Sequence, residues 1–545
     1  MTCFPETAWI SLIPILVLHG SGGPMGDDAT PNPSTSPATA RTAPRRVVWS
    51  TGSTSRTALS TPGCFTPILV DLYRSRDQLD QETRNILEQA ADLQSLPPSI
   101  GSVASSRWPL RVHYPSDDLA DRAETVLELA EYAWEVEVEQ LGFAAPVPDG
   151  NSGGDDRLDI YLASYDWTGG GAYTQPTYWD VDPTDEVQSC PAYIVLYEAL
   201  EENLLPVYVA HELNHACQCA MDFQELTWAW ETTATFVEDF VFDDVNDYYG
   251  YIPFFQAYPE QSLVYFDTSP PYAIYPYGAT IFVRFLDEAV GTDDGNLVVE
   301  LWEQTSQPGP TNEPDILDAV QSVATDRGWK GLEEVYGLFS LWRYFVGPNS
   351  DGAHFDEGAD WTDANTGLSS VPTVSSQFST ADLPATGRVA EVCPFGTTYL
   401  LLDVDPHHAD GSIEVTLEAS GETHVGLAAS RIRTGQPSQD LVLTPDKPAA
   451  SLQTSVTIEG ADQILLALLN LADTTYDPDD PETEHPCLTL SYSVALNPTP
   501  GCGCNATTGP VTPPDGTPGG ILLCMLALYH VRRRTNSHFQ PRDST

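Results

Sequence analysis

Residues 211–215 read His-Glu-Leu-Asn-His inside an apolar run spanning 204–220, and this run limits the folds open to the chain. A helical spacing of four puts His211 and His215 on one face, where both imidazoles reach a single metal ion. Leu205, Tyr208, Val209, Leu213 and Ala216 supply the opposite apolar face. Pro206 falls in the first turn, where its missing N–H does no harm. The chain must therefore bury a polar, metal-competent helix and bring further ligands to it. Glu212 stands beside the histidines, placed to take a proton from an activated water.

Two histidines do not complete a zinc site; catalytic sites use three protein ligands and leave the fourth position to water. After His215 the next histidine is His354, and Gln218 and Met221 occupy the positions where a metzincin continuation requires Gly and His. A carboxylate is therefore the expected third ligand, and Asp222, Glu225, Glu231, Glu238 and Asp239 are the candidates. Asp222 and Glu225 fall in the connection 221–226, whereas Glu231 sits in a second helical run, 227–240, and is the predicted ligand. The predicted metal set is His211, His215 and Glu231, with Glu212 as the catalytic base.

These residues resemble the gluzincin peptidases of the thermolysin-like MA clan, in particular their bacterial peptidase MA-like branch. In that branch a helix carrying H-E-x-x-H-x-x-Q leads to a segment W-x-x-E-G-x-A. The chain has His211-Glu212-Leu213-Asn214-His215-Ala216-Cys217-Gln218 and then Trp228-Ala229-Trp230-Glu231-Thr232-Thr233-Ala234. The resemblance implies the same zinc ligands and the same base, and a protein or peptide substrate. Thr232 stands in place of the usual Gly, and the interval from 215 to 231 is short for the group. Four positions after the glutamate, where thermolysin has an acidic residue behind its ligands, the chain has Thr235; Glu238, one turn further along the same face, is the expected replacement. Relatives carry a Tyr-Gly-Ala helix beneath the site, matched here by Tyr272, Tyr275, Tyr277-Gly278-Ala279 and an apolar run to Gly291. By that likeness Tyr277 is the expected oxyanion donor, with aromatic packing as the other reading. Residues 169–174 occupy the place of an edge strand that pairs with extended substrate.

Upstream, 111–114 reads as a strand, 117–141 as a long helix closed by Gly142, and 158–163 and 192–197 as further strands. The fold class expected is α+β, a two-lobed zincin-like domain over 105–350 followed, after a linker at 351–380, by an all-β sandwich over 381–500. Seven period-two strands, 397–404, 412–418, 424–429, 440–443, 452–458, 463–471 and 487–496, support that sandwich. Ahead of the catalytic region lie an imperfect export signal at 1–23, a Ser/Thr/Pro-rich linker at 24–62 and a short leader or pro-segment at 63–104 with a helical stretch at 80–93. The stretch 149–156 alternates Asp, Asn and Gly; it is either a Ca2+ loop or a solvated turn.

With 23 basic against 78 acidic residues the net charge is −55, which excludes nucleic acid as a partner and suits an extracellular setting. Cys502 and Cys504, an apolar run at 521–531 and Arg532-Arg533-Arg534 resemble the MYXO-CTERM type of C-terminal sorting tail. That likeness implies export and attachment of the chain to the membrane or cell surface through residues 501–545. Among ten cysteines, Cys64, Cys190, Cys217, Cys219, Cys393 and Cys487 lie in the folded body. Disulfides are expected there, with Cys393–Cys487 bracketing the sandwich and Cys190 or Cys64 as partner to Cys217 or Cys219. The functional expectation is a secreted or surface-anchored zinc metallopeptidase. The alternative is an inactive binding or adhesion protein on a degenerate zincin fold.

Overall fold

The computed structural model describes residues 66, 96–177, 189–267, 272–306, 314–362, 367–409, 411–421, 423–444, 449–472, 476–478 and 486–497. The expected export signal, the linker at 24–62, the helix at 80–93, Cys64 and the tail at 501–545 lie outside them. The described chain is a mixed α+β protein with three sheets.

The first sheet contains β1 (Gly101–Ala104), β2 (Leu110–Tyr114), β3 (Leu158–Ala163), β4 (Ala172–Pro176) and β5 (Ala192–Tyr197), in the order β1-β2-β3-β5-β4. The central strands β2, β3 and β5 are parallel, and β1 and β4 run antiparallel along the two edges. Val112, Ile160, Ile194 and Leu196 share a core with Ala123, Val126 and Ala130 of α1 (Ala120–Trp134). The opposite face carries Tyr161, Tyr173 and Tyr193, packed with Leu96 and Trp167. Helix α1 continues as π-helical turns over Glu135–Leu141 and stops at Gly142, whose φ of +93° is the left-handed closure that favours glycine.

Two helices follow, α2 (Leu205–Met221) and α3 (Thr227–Val241). Almost every residue of both is buried, so neither has a solvent face and their polar side chains must find partners inside the protein. Beyond them come α4 (Ile252–Gln256), α5 (Tyr275–Gly278), α6 (Thr280–Phe285), α7 (Asn296–Thr305), α8 (Ile316–Asp326) and α9 (Leu332–Trp342). The single helix expected through Tyr277 to Gly291 is thus broken into α5, α6 and a π-helical turn at Leu286–Val290. Gly278 explains the junction: a Cβ there would meet the Tyr251 carbonyl oxygen at 2.5 Å, so this chain crossing tolerates only glycine.

The remaining strands are β6 (Val374–Ser379), β7 (Ala385–Val392), β8 (Gly396–Asp403), β9 (Ser412–Ala419), β10 (Val425–Ile432), β11 (Gln439–Leu443), β12 (Ser451–Thr457), β13 (Gln463–Asn470) and β14 (Leu488–Asn497). They form two sheets, β11-β10-β13-β8-β6 and β12-β9-β14-β7, around a common core. All seven expected strands are present, and β6 and β7 are additional. β6 lies inside the stretch read as a linker, which also contributes the buried His354, Phe355 and Trp361.

The first of these two sheets is covered on both faces. Ile464, Leu466 and Leu468 of β13 enter the core between the sheets, while Leu465, Ala467 and Leu469 join the core of the helices. That double burial explains why β13 reads Gln-Ile-Leu-Leu-Ala-Leu-Leu-Asn, a continuous apolar run. Gly337 of α9 permits the contact, since a Cβ there would lie 2.6 Å from Val442 of β11. Polar ties fix it: the Tyr399 hydroxyl donates to the Ser340 carbonyl at 2.7 Å, and Tyr336 and Thr397 share a hydrogen bond of 2.8 Å.

Cys393 and Cys487 form the expected disulfide, joining the segment between β7 and β8 to the start of β14. Cys190, Cys217 and Cys219 are buried free thiols, which corrects the expectation that they pair. Cys190 and Cys219 are neighbours through a backbone hydrogen bond of 2.8 Å.

His354 is clamped between carboxylates of two elements, with Nδ1 at 2.8 Å from Asp351 and Nε2 at 3.1 Å from Asp440 of β11. Burial works against its charge, yet Asp351 and Asp440 raise the imidazole from 6.5 to about 9. A histidine raised in the folded state adds stability that is complete below its unfolded value and lost as pH rises through the folded one. The clamp should thus contribute roughly 1–3 kcal/mol below pH 6.5, fading towards about pH 9. Thermal melts from pH 6 to 10 should show the parent losing roughly 2–4 °C more than a His354→Gln variant.

Candidate metal centre

Helices α2 and α3 bring the three predicted ligands together. Ligand atoms of His211, His215 and Glu231 all lie within 4.8 Å of one another, and all three residues are buried. His215 Nε2 is 3.1 Å from Glu231 Oε1, and His211 Nε2 is 3.4 Å from Oε2, so the carboxylate is splayed between two imidazoles. Burial opposes its ionisation, but the adjoining His215 and His211 override that and hold the Glu231 carboxyl at about 2.

Each imidazole is steered by its other nitrogen. His211 Nδ1 is hydrogen-bonded to Glu238, the acidic residue expected to stand in for Thr235. Burial and the charge of Asp247 push the Glu238 carboxyl up to about 8, against the opposing pull of His211. His215 Nδ1 donates to Gln218 Oε1 at 2.7 Å, and Gln218 Nε2 in turn shares its two hydrogens among Asn214 Oδ1, the Trp230 carbonyl and Thr233 Oγ1 at 2.9, 3.1 and 3.0 Å. Trp302 Nε1 donates to the same threonine at 3.0 Å, and Asn214 donates to the buried Glu137 at 3.2 Å. The network turns both Nε2 atoms towards Glu231, the arrangement a metal-binding histidine pair requires.

Glu212 projects from the same turn of α2 towards the edge of the first sheet. Thr174 of β4 donates its hydroxyl to Glu212 Oε2 at 2.8 Å and lies equally close to the Glu212 carbonyl oxygen. Burial raises the Glu212 carboxyl, while the histidines and the Thr174 hydrogen bond work the other way. A buried carboxylate of raised affinity for protons beside a metal set suits general acid–base work.

Tyr277 of α5 lies nearly parallel to the His211 ring, with centroids 6.0 Å apart and planes 11° apart. Thr232, which departs from the expected glycine, donates to the Pro276 carbonyl at 2.9 Å and so ties α3 to the turn that carries Tyr277.

The other carboxylate candidates do different work. Asp222 Oδ1 accepts from the Gln224 amide at 3.0 Å and Glu225 Oε1 from the Leu226 amide at 2.7 Å, fixing the connection between α2 and α3. Asp239 is paired with Arg284, which also lies 3.6 Å from Glu357. Within a second acidic group, Asp239, Asp243 and Glu357, Arg284 thus bridges Asp239 and Glu357. In the loop at 149–156, Asp155 is held by Arg111 and Arg157.

Gln218 was visible in the sequence as part of a motif, and its spacing of three from His215 puts it on the same face. Thr233 lies in the motif on α3 but nothing in the sequence marks it for a role, Thr174 reads only as part of an edge strand, and Trp302 carries no local signal because it reaches the site from the distant α7. No protein-family model matches the chain, and no curated protein matches it.

Because Glu238 and Gln218 orient the imidazoles, Glu238→Gln and Gln218→Leu should each lower affinity for zinc by about 10- to 100-fold in competition titrations with a chromogenic chelator. Glu231→Ala should abolish stoichiometric binding.

Proposed function

We propose that the chain is a zinc-dependent metallopeptidase of gluzincin type, exported and held at the cell surface by its C-terminal tail. The observation that carries the reading is the convergence of His211, His215 and Glu231 beside a buried Glu212. Two imidazole nitrogens and one carboxylate form an open three-ligand set of the catalytic kind, whereas structural zinc sites are closed by four Cys or His ligands. The donor set fits zinc: each ring has its far nitrogen occupied by Glu238 or Gln218, and Glu231 is ionised between them.

Zinc, when bound, supplies the Lewis acidity that activates a water and polarises a scissile carbonyl. The chain's own residues do the rest. His211, His215 and Glu231 hold the ion; Glu212 takes the proton from the attacking water and returns it to the leaving amine. Thr174 fixes the direction of the Glu212 carboxylate, leaving Oε1 to face the reaction. Tyr277, beside His211, donates a hydrogen bond to the oxyanion that develops on the carbonyl. Strand β4 is a sheet edge next to Glu212, which suits main-chain pairing with an extended peptide. The acidic composition and the cysteine-containing tail support an extracellular setting.

Two substitutions test the assignment with denatured casein as substrate. Glu212→Gln should bind zinc as the parent does and lose at least about 10²-fold in kcat; parental turnover in that variant would overturn the reading. Tyr277→Phe should lower kcat by about 10- to 100-fold with KM little changed, as expected for a contact made mainly in the transition state.

A further inference from the structure

The end of helix α1 runs against the usual rule of burial. Its π-helical turns over Glu135–Leu141 leave Val138 only partly buried and enclose Glu137 completely, at 0% exposure. Burial pushes the Glu137 carboxyl well above its ordinary range, against the pull of Asn214 and His211, so it is held as the neutral acid. Its Oε1 has no partner among the described residues, while Oε2 accepts from Asn214 Nδ2 at 3.2 Å. An enclosed carboxyl with one oxygen unpartnered weakens a fold, and such departures concentrate where a protein does its work. The Asn214 contact is the far end of a relay that runs in one direction. Asn214 Oδ1 accepts from Gln218 Nε2 at 2.9 Å, and Gln218 Oε1 accepts from His215 Nδ1 at 2.7 Å. Each amide has a donor end and an acceptor end, so turning one over reverses what it presents to the next. An inverted Asn214 would set its NH2 against the NH2 of Gln218, two donors face to face. The Trp230 carbonyl and Thr233 Oγ1 also accept from Gln218 Nε2 and steady the middle of the relay, whereas Asn214 is oriented by Glu137.

We propose that Glu137 is a positioning residue of the metal centre: as the terminal acceptor it orients Asn214 and, through Asn214, the Gln218 carbonyl that holds the proton on His215 Nδ1 and leaves Nε2 to the ion. The inference rests on the metal-binding reading of His211, His215 and Glu231 and does not need peptidase activity. His211 lies on a separate branch, with its Nδ1 bonded to Glu238, and so provides an internal control.

Variants of the full chain decide the matter. Glu137→Leu removes the acceptor, Glu137→Met removes it with an unbranched side chain should leucine prevent folding, and Glu137→Gln, the isostere of the neutral acid, keeps it. Zinc affinity is read by competition with a chromogenic chelator, and the His215 Nδ1–H by its downfield proton resonance in the zinc-loaded chain carrying isotope-labelled histidine. The apolar variants should lower zinc affinity by about tenfold and move the His215 resonance upfield while leaving that of His211 in place; Glu137→Gln should match the parent in both. Parental affinity and resonance in the apolar variants would mean that the position only needs filling, and equal loss in Glu137→Gln would mean that the acid itself matters; either result overturns the relay. A shift of both histidine resonances together marks a general loosening of α2 and overturns it too. A zinc-binding parent with indifferent variants tells against the relay alone, whereas a parent that binds no zinc overturns the metal-binding reading and the relay with it.

Discussion

The ionised carboxylate of Glu231, buried between two imidazoles, is the constraint around which the helical part of the protein is arranged. An uncompensated charge in such a position costs several kcal/mol, so the fold must supply partners from every side. His211 and His215 supply them directly, and each needs its own far-side acceptor, Glu238 or Gln218. Gln218 in turn needs Asn214, Trp230 and Thr233, and Thr233 also serves Trp302. One buried charge thus recruits residues from α2, α3 and α7, and the almost complete burial of α2 and α3 follows from the need to keep that network away from water.

Such a network demands rigid surroundings, and the layer of β-strands supplies part of them. The sheet β11-β10-β13-β8-β6 is apolar on both faces, so the helices pack against it as they would against a core. Helix α9 lies directly on it, with Gly337 opening room for Val442 and Tyr336, Ser340, Thr397 and Tyr399 closing a small polar cluster at the contact. Phe339 of α9 touches Phe282 and Phe285 of α6, which continues from the turn that carries Tyr277. An unbroken path of packed side chains therefore joins the strands to the site, and the all-β part is a supporting layer of one body rather than a loosely attached module.

Local pattern made much of this legible. The spacing of His211, Glu212 and His215, the placement of Glu231 in a second helix and the run of period-two strands each depend on residues close in sequence, and the structure assembles them as expected. What was not legible depended on distance or on weak pattern. β6 and β7 carry polar or small residues such as Ser375, Ser376, Thr386 and Gly387, because each lies at the edge of its sheet and buries little. Thr174 and Thr66 offer only a hydroxyl each, and nothing local marks a threonine as the neighbour of a glutamate 38 or 146 positions away. The expected pairing of the remaining cysteines failed for a related reason: apolar burial holds Cys190, Cys217 and Cys219 in the core as small side chains, and a cysteine count cannot tell such residues from bridge partners.

Two departures from the gluzincin pattern acquire a physical account once the helices are placed. A short interval between His215 and Glu231 leaves few residues to turn α2 into α3, and a loose turn would let Glu231 shift relative to the two imidazoles. Asp222 and Glu225 prevent this by capturing the amides of Gln224 and Leu226, so the carboxylates closest to the histidines in sequence shape the loop and the more distant one lies between the two imidazoles. Thr232 replaces a residue with no side chain, and its hydroxyl is used rather than merely accommodated: it holds the Pro276 carbonyl and with it the turn bearing Tyr277. A glycine at 232 would leave that carbonyl without this donor and loosen α5 against α3. The two departures thus act in one direction, trading sequence length and conformational freedom for side-chain hydrogen bonds that hold Glu231 and Tyr277 at fixed positions around His211.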